Sequence, residues 1–487
     1  MLNTNENLTT FTDLYQLTMM YGYFKERKQD EEVVFDLFFR RNPFKNGYTI
    51  AAGLENLIDY IKNLSFSHED IDYLKSTGLF PDEEFFKELR NFRFTGNIKA
   101  VEEGTVVFPS EPLVRVHTRL FEAQLIETAL LSLVGHQTLL ATKANRIVRS
   151  AEGKNVIEMG ARRGQGPESS TLGARAAFIG GVGSTSNVSA GRKFGIPITG
   201  THAHSWVMSF DSELEAFQKY GKHYPDNLIL LVDTYDVINS GIPNAMKVFK
   251  EVSERLGRAP KKFGIRLDSG DLTYLSREAR KILDAAGFKD AIIVASNDLD
   301  EYTIRELESQ GALIDSYGVG TKLITAYDQP ALGCVYKLAA EKINDEWVPR
   351  IKRSENVEKV TNPGMKKVVR FFDNETKHAI VDLIMLDEEE IPQQPFEVFD
   401  QVHTWKRKVV NNTNCVELLQ PIFENGELVY KMPTIQEIVE NVKHNLNTFS
   451  EYHTRFSNPH EYHVDLSQKL WDTKMDLLKK TDFKNKG

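Results

Sequence analysis

An irregular, TIM-like α/β barrel, flanked by an α+β domain built from the N- and C-terminal parts, is the fold expected of this chain on three grounds. At 487 residues it exceeds the roughly 250–300 residues at which a single core stops growing, so more than one domain is expected. Between about 155 and 322, short apolar β-branched runs alternate with amphipathic helical stretches, the rhythm of βα units on a parallel sheet. Polar residues recur at the carboxyl ends of successive runs, where a barrel gathers its site from many strands. An open doubly wound sheet would instead concentrate its ligand groups at one switch point.

In chain order, residues 1–140 mix helical spacing ("TDLYQLTMMYGYF", "GLENLIDYIKNL") with strand-like alternation ("EVVFDLFFR", "GTVVFPSEPLVRVH"), an α+β layer. Residues 141–345 carry the barrel, with strands expected at "NVIEMG", "GIPITG", "NLILLVD", "KKFGIRLD", "AIIVASND" and "ALIDSYGVG". Helices are expected between them at "SELEAFQKYGKHY", "PNAMKVFKEVSERLG", "TYLSREARKILDAAG" and "DEYTIRELESQG". Residues 346–487 add strand-like "KVVRFFD" and "HAIVDLIML", then helical "TIQEIVENVKHNL" and "SQKLWDTKMDLLKK", and are expected to pack on the N-terminal domain and the barrel.

Composition narrows the function. Hydrophobic residues make up 41% and charged residues 26%, an ordinary globular mixture, and the net charge is −9. No basic block stands out, so nucleic acid is not an expected partner. A small anion in a locally basic pocket is compatible, because site charge and net charge are independent. Cys334 and Cys415 lie far apart without metal spacing, which with a start lacking basic and apolar leader regions gives a cytoplasmic expectation. No apolar stretch is long enough for a membrane span.

The strand ends carry the candidate chemistry. In "GTHAHSWVMSF", His204 follows a strand, and Asp233 closes the next run in "LVDTYD". A carboxylate bonded to one imidazole nitrogen fixes the tautomer and leaves the other nitrogen as a nucleophile. His202 and His204 together also fit the HxH pair of a metal-dependent amidohydrolase, although the later strand ends supply no further imidazoles. His453, His460 and His463 form a second, irregularly spaced histidine group. Gly318, Gly320 and Thr321 in "DSYGVGTKL" expose backbone amides suited to a phosphate. Arg266, Asp268 and Asp271 in "IRLDSGDL" suit a phosphate with magnesium or ribose hydroxyls. Arg162 and Arg163, Arg40 and Arg41, and Ser296 with Asn297 complete a set fitted to phosphoryl or phosphoribosyl chemistry.

Taken together, "TDLYQLTM", "EGTVVFPSEPLVRV", "GARRGQGP", "GGVGSTSNVSAGRKFGIPITGTHAHSWVMSF", "LVDTYD", "GIRLDSGDL", "SYGVGT" and "NPHEYHVDLS" resemble nicotinate phosphoribosyltransferases of the bacterial type, of the type II phosphoribosyltransferase family. The resemblance implies transfer of phosphoribose from 5-phosphoribosyl 1-pyrophosphate to nicotinate, the entry to the Preiss–Handler route of NAD salvage. ATP is implied as co-substrate through a phosphorylated His204 oriented by Asp233, with no organic prosthetic group. Magnesium would accompany the pyrophosphate, with Asp268 as a candidate protein contact. Arg162 or Arg163 would hold the nicotinate carboxylate or a phosphate, Arg266 and Asp268 phosphate and ribose, and Gly318 and Gly320 the 5′-phosphate. Arg40, Thr201, Ser205, Ser296, Asn297 and Thr321 fall among the implied substrate contacts. Ser186 stands where the nicotinamide-using relatives carry an aspartate, and a neutral residue suits the acid substrate. Tyr15 matches an aromatic that stacks on the pyridine ring from a second subunit, implying a homodimer with shared sites. Gly164 and Glu168 depart from the alanine and aspartate of the family's "RRAQGPD". A metal-dependent amidohydrolase and a non-catalytic binder of nucleotide or nicotinate are the competing readings.

Overall fold

The computed structural model describes residues 7–356, 359–401 and 403–484, and the chain divides into two compact units, 140–330 and the combination of 1–139 with 331–487. In the first unit, Asn155–Glu158, Ser184–Thr185, Asn227–Leu231, Lys262–Leu267, Ile292–Asn297 and Ser316–Val319 form one parallel six-stranded sheet. In space the first strand lies between the second and the last, and the others follow in chain order, as in a barrel opened along one seam. That seam separates Ser184–Thr185 from Asn227–Leu231.

Alternation along the strands divides their side chains. Leu228, Leu230, Phe263, Ile265, Ile293, Ala295 and Tyr317 pack with Phe217, Ala245, Phe249, Ala279, Leu283 and Ile304 from the surrounding helices into one buried core. The opposite parity, which includes Arg266, Ser296 and Gly318, faces away from those helices. The helices begin where side chains satisfy their free N–H groups. Ser212 caps Glu213–His223, Asp271 caps Leu272–Ala285 and Asp300 caps Glu301–Ser309. Ile242–Leu256 instead opens on a proline in its first turn and stops at Gly257, whose φ of 66° is left-handed.

One expected strand is missing. "GIPITG" makes a single parallel bridge, Ile198 with Thr185, because Pro197 has no N–H to carry a ladder onward. The neighbouring strand is the two-residue Ser184–Thr185, within "GSTSNV", where no apolar run announced it.

The second unit is built from both ends of the chain. Its seven-stranded antiparallel sheet runs Glu346–Pro349, Cys334–Ile343, Glu32–Phe39, Val114–Arg119, Asn97–Val101, Leu419–Glu424 and Glu427–Leu428. Cys334–Ile343 falls inside the span 141–345 assigned to the barrel, yet it pairs with Glu32–Phe39, so the barrel unit stops earlier in the chain. The unit also holds a four-stranded sheet of Thr413–Glu417, Lys366–Asp373, Ala379–Leu386 and Val464–Leu466, the hairpin Phe396–Phe399/Arg407–Val410 and the antiparallel pair Thr49–Ile50/Val106–Val107. Among the described residues, no helix is long and apolar enough to cross a membrane.

Candidate functional site

At the carboxyl ends of the parallel strands, Asp233, Asp268 and Ser296 are joined by hydrogen bonds, His204 lies beside Asp268, and Arg266 pairs with Thr201. His204 opens the short helix His204–Met208, and its Nδ1 lies 3.1 Å from the Thr234 hydroxyl. Its Nε2 faces the Asp268 carboxylate at 3.8 Å, with side-chain exposures of 40% and 38%, so this edge of the imidazole is open to a ligand. Asp268 Oδ1 accepts a hydrogen bond from the Ser296 hydroxyl. The expected Asp233–His204 pair is replaced by Thr234–His204. Asp233 Oδ2 accepts instead from the Asp268 backbone N–H at 2.8 Å and the Ser269 hydroxyl at 2.6 Å. A turn that places residue 234 opposite the ring leaves residue 233 facing the neighbouring strand end.

Arg266 donates to the Thr201 hydroxyl, while its Nε is sealed from solvent with no partner among the described residues. Burial pulls its pKa down, Asp268 and Asp233 oppose that pull, and nearby Arg162 reinforces it. Asp233 Oδ1 is likewise buried and unpartnered. Unmet polar atoms of this kind are costly inside a protein unless something arrives to satisfy them. Cation and carboxylate here are poised for a polar, charged ligand.

Glu158 was not anticipated. Fully buried at the end of the first strand, it accepts from the Gly160 N–H and from the Thr185 hydroxyl, the latter at 2.5 Å. It thereby joins the turn bearing Arg162 and Arg163 to the strand end beside Ser186, whose N–H bonds the Glu158 carbonyl at 2.8 Å. Burial raises the Glu158 pKa, against the two hydrogen bonds. The one available signal was an acidic residue inside the apolar run "NVIEMG". Thr234 could have been found as the polar residue that directly follows Asp233 at the same strand end.

The remaining expectations divide. Gly318 sits inside the ladder, registered against Ser296 and Ile157, and a side chain there would meet Met159 Sδ at 2.7 Å. Its hydrogen lets two strand ends approach, so Gly318 acts through space rather than through a free loop amide. Gly320 precedes the single turn Thr321–Ile324 beside Met159 and Gly160. Arg162, Arg163, Ser205 and Asn297 are exposed at the rim, and Ser186 is half-buried. Asp271 is a helix cap, its Oδ1 accepting from the Tyr274 N–H at 3.0 Å, and is not turned toward the strand-end residues.

His202 does not join a metal pair. Its Nε2 accepts the Leu231 backbone N–H at 3.2 Å, its Nδ1 lies 3.4 Å from the Ala203 carbonyl, and burial lowers its pKa to about 4. Both ring nitrogens are therefore engaged within the protein. His453 Nδ1 contacts the His460 carbonyl at 2.9 Å, and among the described residues no group of three or more potential ligands is placed to hold a metal.

Tyr15 and Arg40 belong to the other unit. Tyr15 is 49% exposed on the helix Leu14–Lys25. Arg40 follows the strand Glu32–Phe39, and its buried Nε has no partner among the described residues. It lines a cavity of about 820 Å³ together with Arg41, Lys45, Lys366, Lys406 and Lys474.

Comparison with known proteins gives one consistent result. A family model for the nicotinate phosphoribosyltransferase N-terminal domain matches residues 10–135, and one for the C-terminal domain matches 365–474. The chain is 38% identical to a nicotinate phosphoribosyltransferase of Caenorhabditis elegans, over 94% of this chain and 91% of that protein. The crystal structure of human nicotinic acid phosphoribosyltransferase superposes with a TM-score of 0.82 at 30% identity, covering 96% of this chain and 99% of that one. That of a nicotinate-nucleotide pyrophosphorylase from Pyrococcus furiosus, with a TM-score of 0.68 at 23% identity over 92% of this chain and 98% of that one, shares the fold. A Bacillus subtilis nicotinate phosphoribosyltransferase is 48% identical over 97% of this chain and 96% of its own length, and the chain belongs to the nicotinate phosphoribosyltransferase family.

Proposed function

We propose that this chain joins nicotinate to the ribose of 5-phosphoribosyl 1-pyrophosphate, and that ATP drives the reaction through phosphorylation of His204. The observation that carries this reading is His204 itself, with Nδ1 held by Thr234 and Nε2 open beside Asp268. With the Nδ1 proton donated to the Thr234 hydroxyl, the Nε2 lone pair attacks the terminal phosphorus of ATP as the bond to the bridging oxygen breaks. In the transfer step the pyridine nitrogen attacks C1′ of the ribose, and the C1′–oxygen bond to pyrophosphate breaks. Little acid or base work is needed, because that nitrogen is already a nucleophile. The protein's part is placement and charge: Arg266 beside the phosphates, Asp268 and Asp233 near the ribose, and Arg162 or Arg163 on the substrate carboxylate.

Magnesium brought with the pyrophosphate would neutralise the departing oxygens. Asp268 fits a contact to it, because Oδ2 accepts no hydrogen bond among the described residues. Ser186 in place of a carboxylate favours the acid over the amide. The reading includes NAD salvage in the cytoplasm and a homodimer in which Tyr15 reaches a second copy. Exposure of Phe11, Leu14, Tyr15 and Met19 along one short stretch supports that contact.

The test is incubation with ATP labelled in its terminal phosphate, followed by mapping of acid-labile label, beside an assay of pyrophosphate release. Label on His204 is expected, with release requiring both nicotinate and 5-phosphoribosyl 1-pyrophosphate. Replacement of His204 by alanine should abolish label and ATP stimulation together; full stimulation in that variant contradicts the assignment.

A further inference from the structure

We propose that His202 is a positioning residue: its imidazole closes the open seam of the barrel and so fixes the segment that presents His204. The inference rests on the phosphohistidine reading for its consequence, while its geometry stands alone. The segment after Ile198 forms no ladder with Asn227–Leu231, although the two border the same gap. Two side-chain links span it. His202 Nε2 takes the Leu231 N–H at 3.2 Å, and His204 Nδ1 meets the Thr234 hydroxyl at 3.1 Å. Positions 202 and 204 are thus registered against 231 and 234, as rungs made of side chains where a barrel normally has backbone. Thr201, between the bridge and the first rung, receives the Arg266 guanidinium.

The ring is built for this one task. It is 7% exposed and packs edge-on against Tyr220, with ring centroids 4.8 Å apart. Because Nε2 accepts a proton-bearing amide, the ring proton must sit on Nδ1, directed at the Ala203 carbonyl. Burial keeps the ring neutral near pH 7, so the acceptor is always available. A sealed imidazole with both nitrogens engaged has no atom left to bind substrate or metal. What it does is hold Leu231, and through the three residues that follow, the hydroxyl that orients His204.

The experiment compares His202→Leu, which removes the acceptor while keeping bulk, with His202→Gln, whose side-chain oxygen reaches the same amide. The leucine variant should lose about tenfold in ATP-coupled kcat and in the rate of acid-labile labelling, with KM for nicotinate within about twofold, the scale of a buried N–H left unmet. The glutamine variant should recover to within about threefold of wild type. Wild-type coupling in the leucine variant, or equal damage in both, overturns the proposal. Should the leucine variant fail to fold, ¹⁵N-histidine spectra of the unaltered protein decide: His202 protonated on Nδ1 supports the clamp, and protonation on Nε2 overturns it. These spectra do not depend on phosphorylation, so absence of label on wild-type His204 would remove the catalytic reading separately.

Discussion

Arg370 and Arg266 are both arginines in sheets, one in each unit, and their surroundings could hardly differ more. Arg370 is fully buried, forks onto both oxygens of Asp382 at 2.8 and 2.6 Å, donates to the Val106 carbonyl and lies over the rings of Phe108 and Phe449. Burial alone would lower its pKa, but Asp382 outweighs that and the net shift is upward. Arg266 has one hydroxyl partner, an unmet Nε and a pKa that burial succeeds in lowering. Charge that is fully answered holds a fold together; charge left partly unanswered at a strand end is available to a ligand.

Exchanging each arginine for methionine is the strongest way to break that contrast. Arg370→Met should cost about 3–5 kcal/mol in unfolding free energy by stranding Asp382, read by denaturant titration. Arg266→Met should cost no more than about 1 kcal/mol, yet lower kcat/KM by about a hundredfold or more, the effect of losing a preorganised charge. A large stability loss at 266, or a small one at 370, would erase the distinction.

Acid titration sharpens the barrel side. His202 has a folded pKa of about 4, below the 6.5 of a free imidazole, so above pH 6.5 both folded and unfolded rings are neutral and nothing is lost. As pH falls from 6.5 toward 4, the unfolded ring takes up a proton and the folded one does not. Stability should therefore decline over that window by at most roughly 3 kcal/mol, and the His202→Gln variant should lack this component of the pH profile. An unchanged profile in the variant would assign the decline to other groups.

The smallest effect is expected at the rim. Ser186→Asp places a carboxylate where nicotinate's own is to be accommodated and should raise KM for nicotinate by roughly tenfold, with stability unaltered. An unchanged KM would mean that residue 186 does not face the substrate.

Much of the barrel was legible because its physics is local. Apolar β-branched runs and side-chain caps such as Ser212 and Asp300 are written within a few residues of where they act. So was the position of Arg266, Asp268 and Ser296 at successive strand ends, which follows from period and rhythm alone, whereas the strand expected before His204 did not form. What stayed hidden depends on contacts distant in sequence. Whether residue 233 or 234 meets the imidazole is settled by how the chain turns after Leu231. The pairing of Cys334–Ile343 with Glu32–Phe39 joins residues some three hundred apart, and no local pattern marks it. Asp271 misled for the opposite reason: a capping aspartate and a ligand aspartate look alike until Tyr274 N–H is found bound to it.

A barrel that does not close leaves a sheet margin, and a bare margin invites a foreign strand to add to it. Here the amide of Leu231 is already occupied by an imidazole. The same side chain that holds the neighbouring loop in place thus takes one amide of that margin out of reach of a foreign strand.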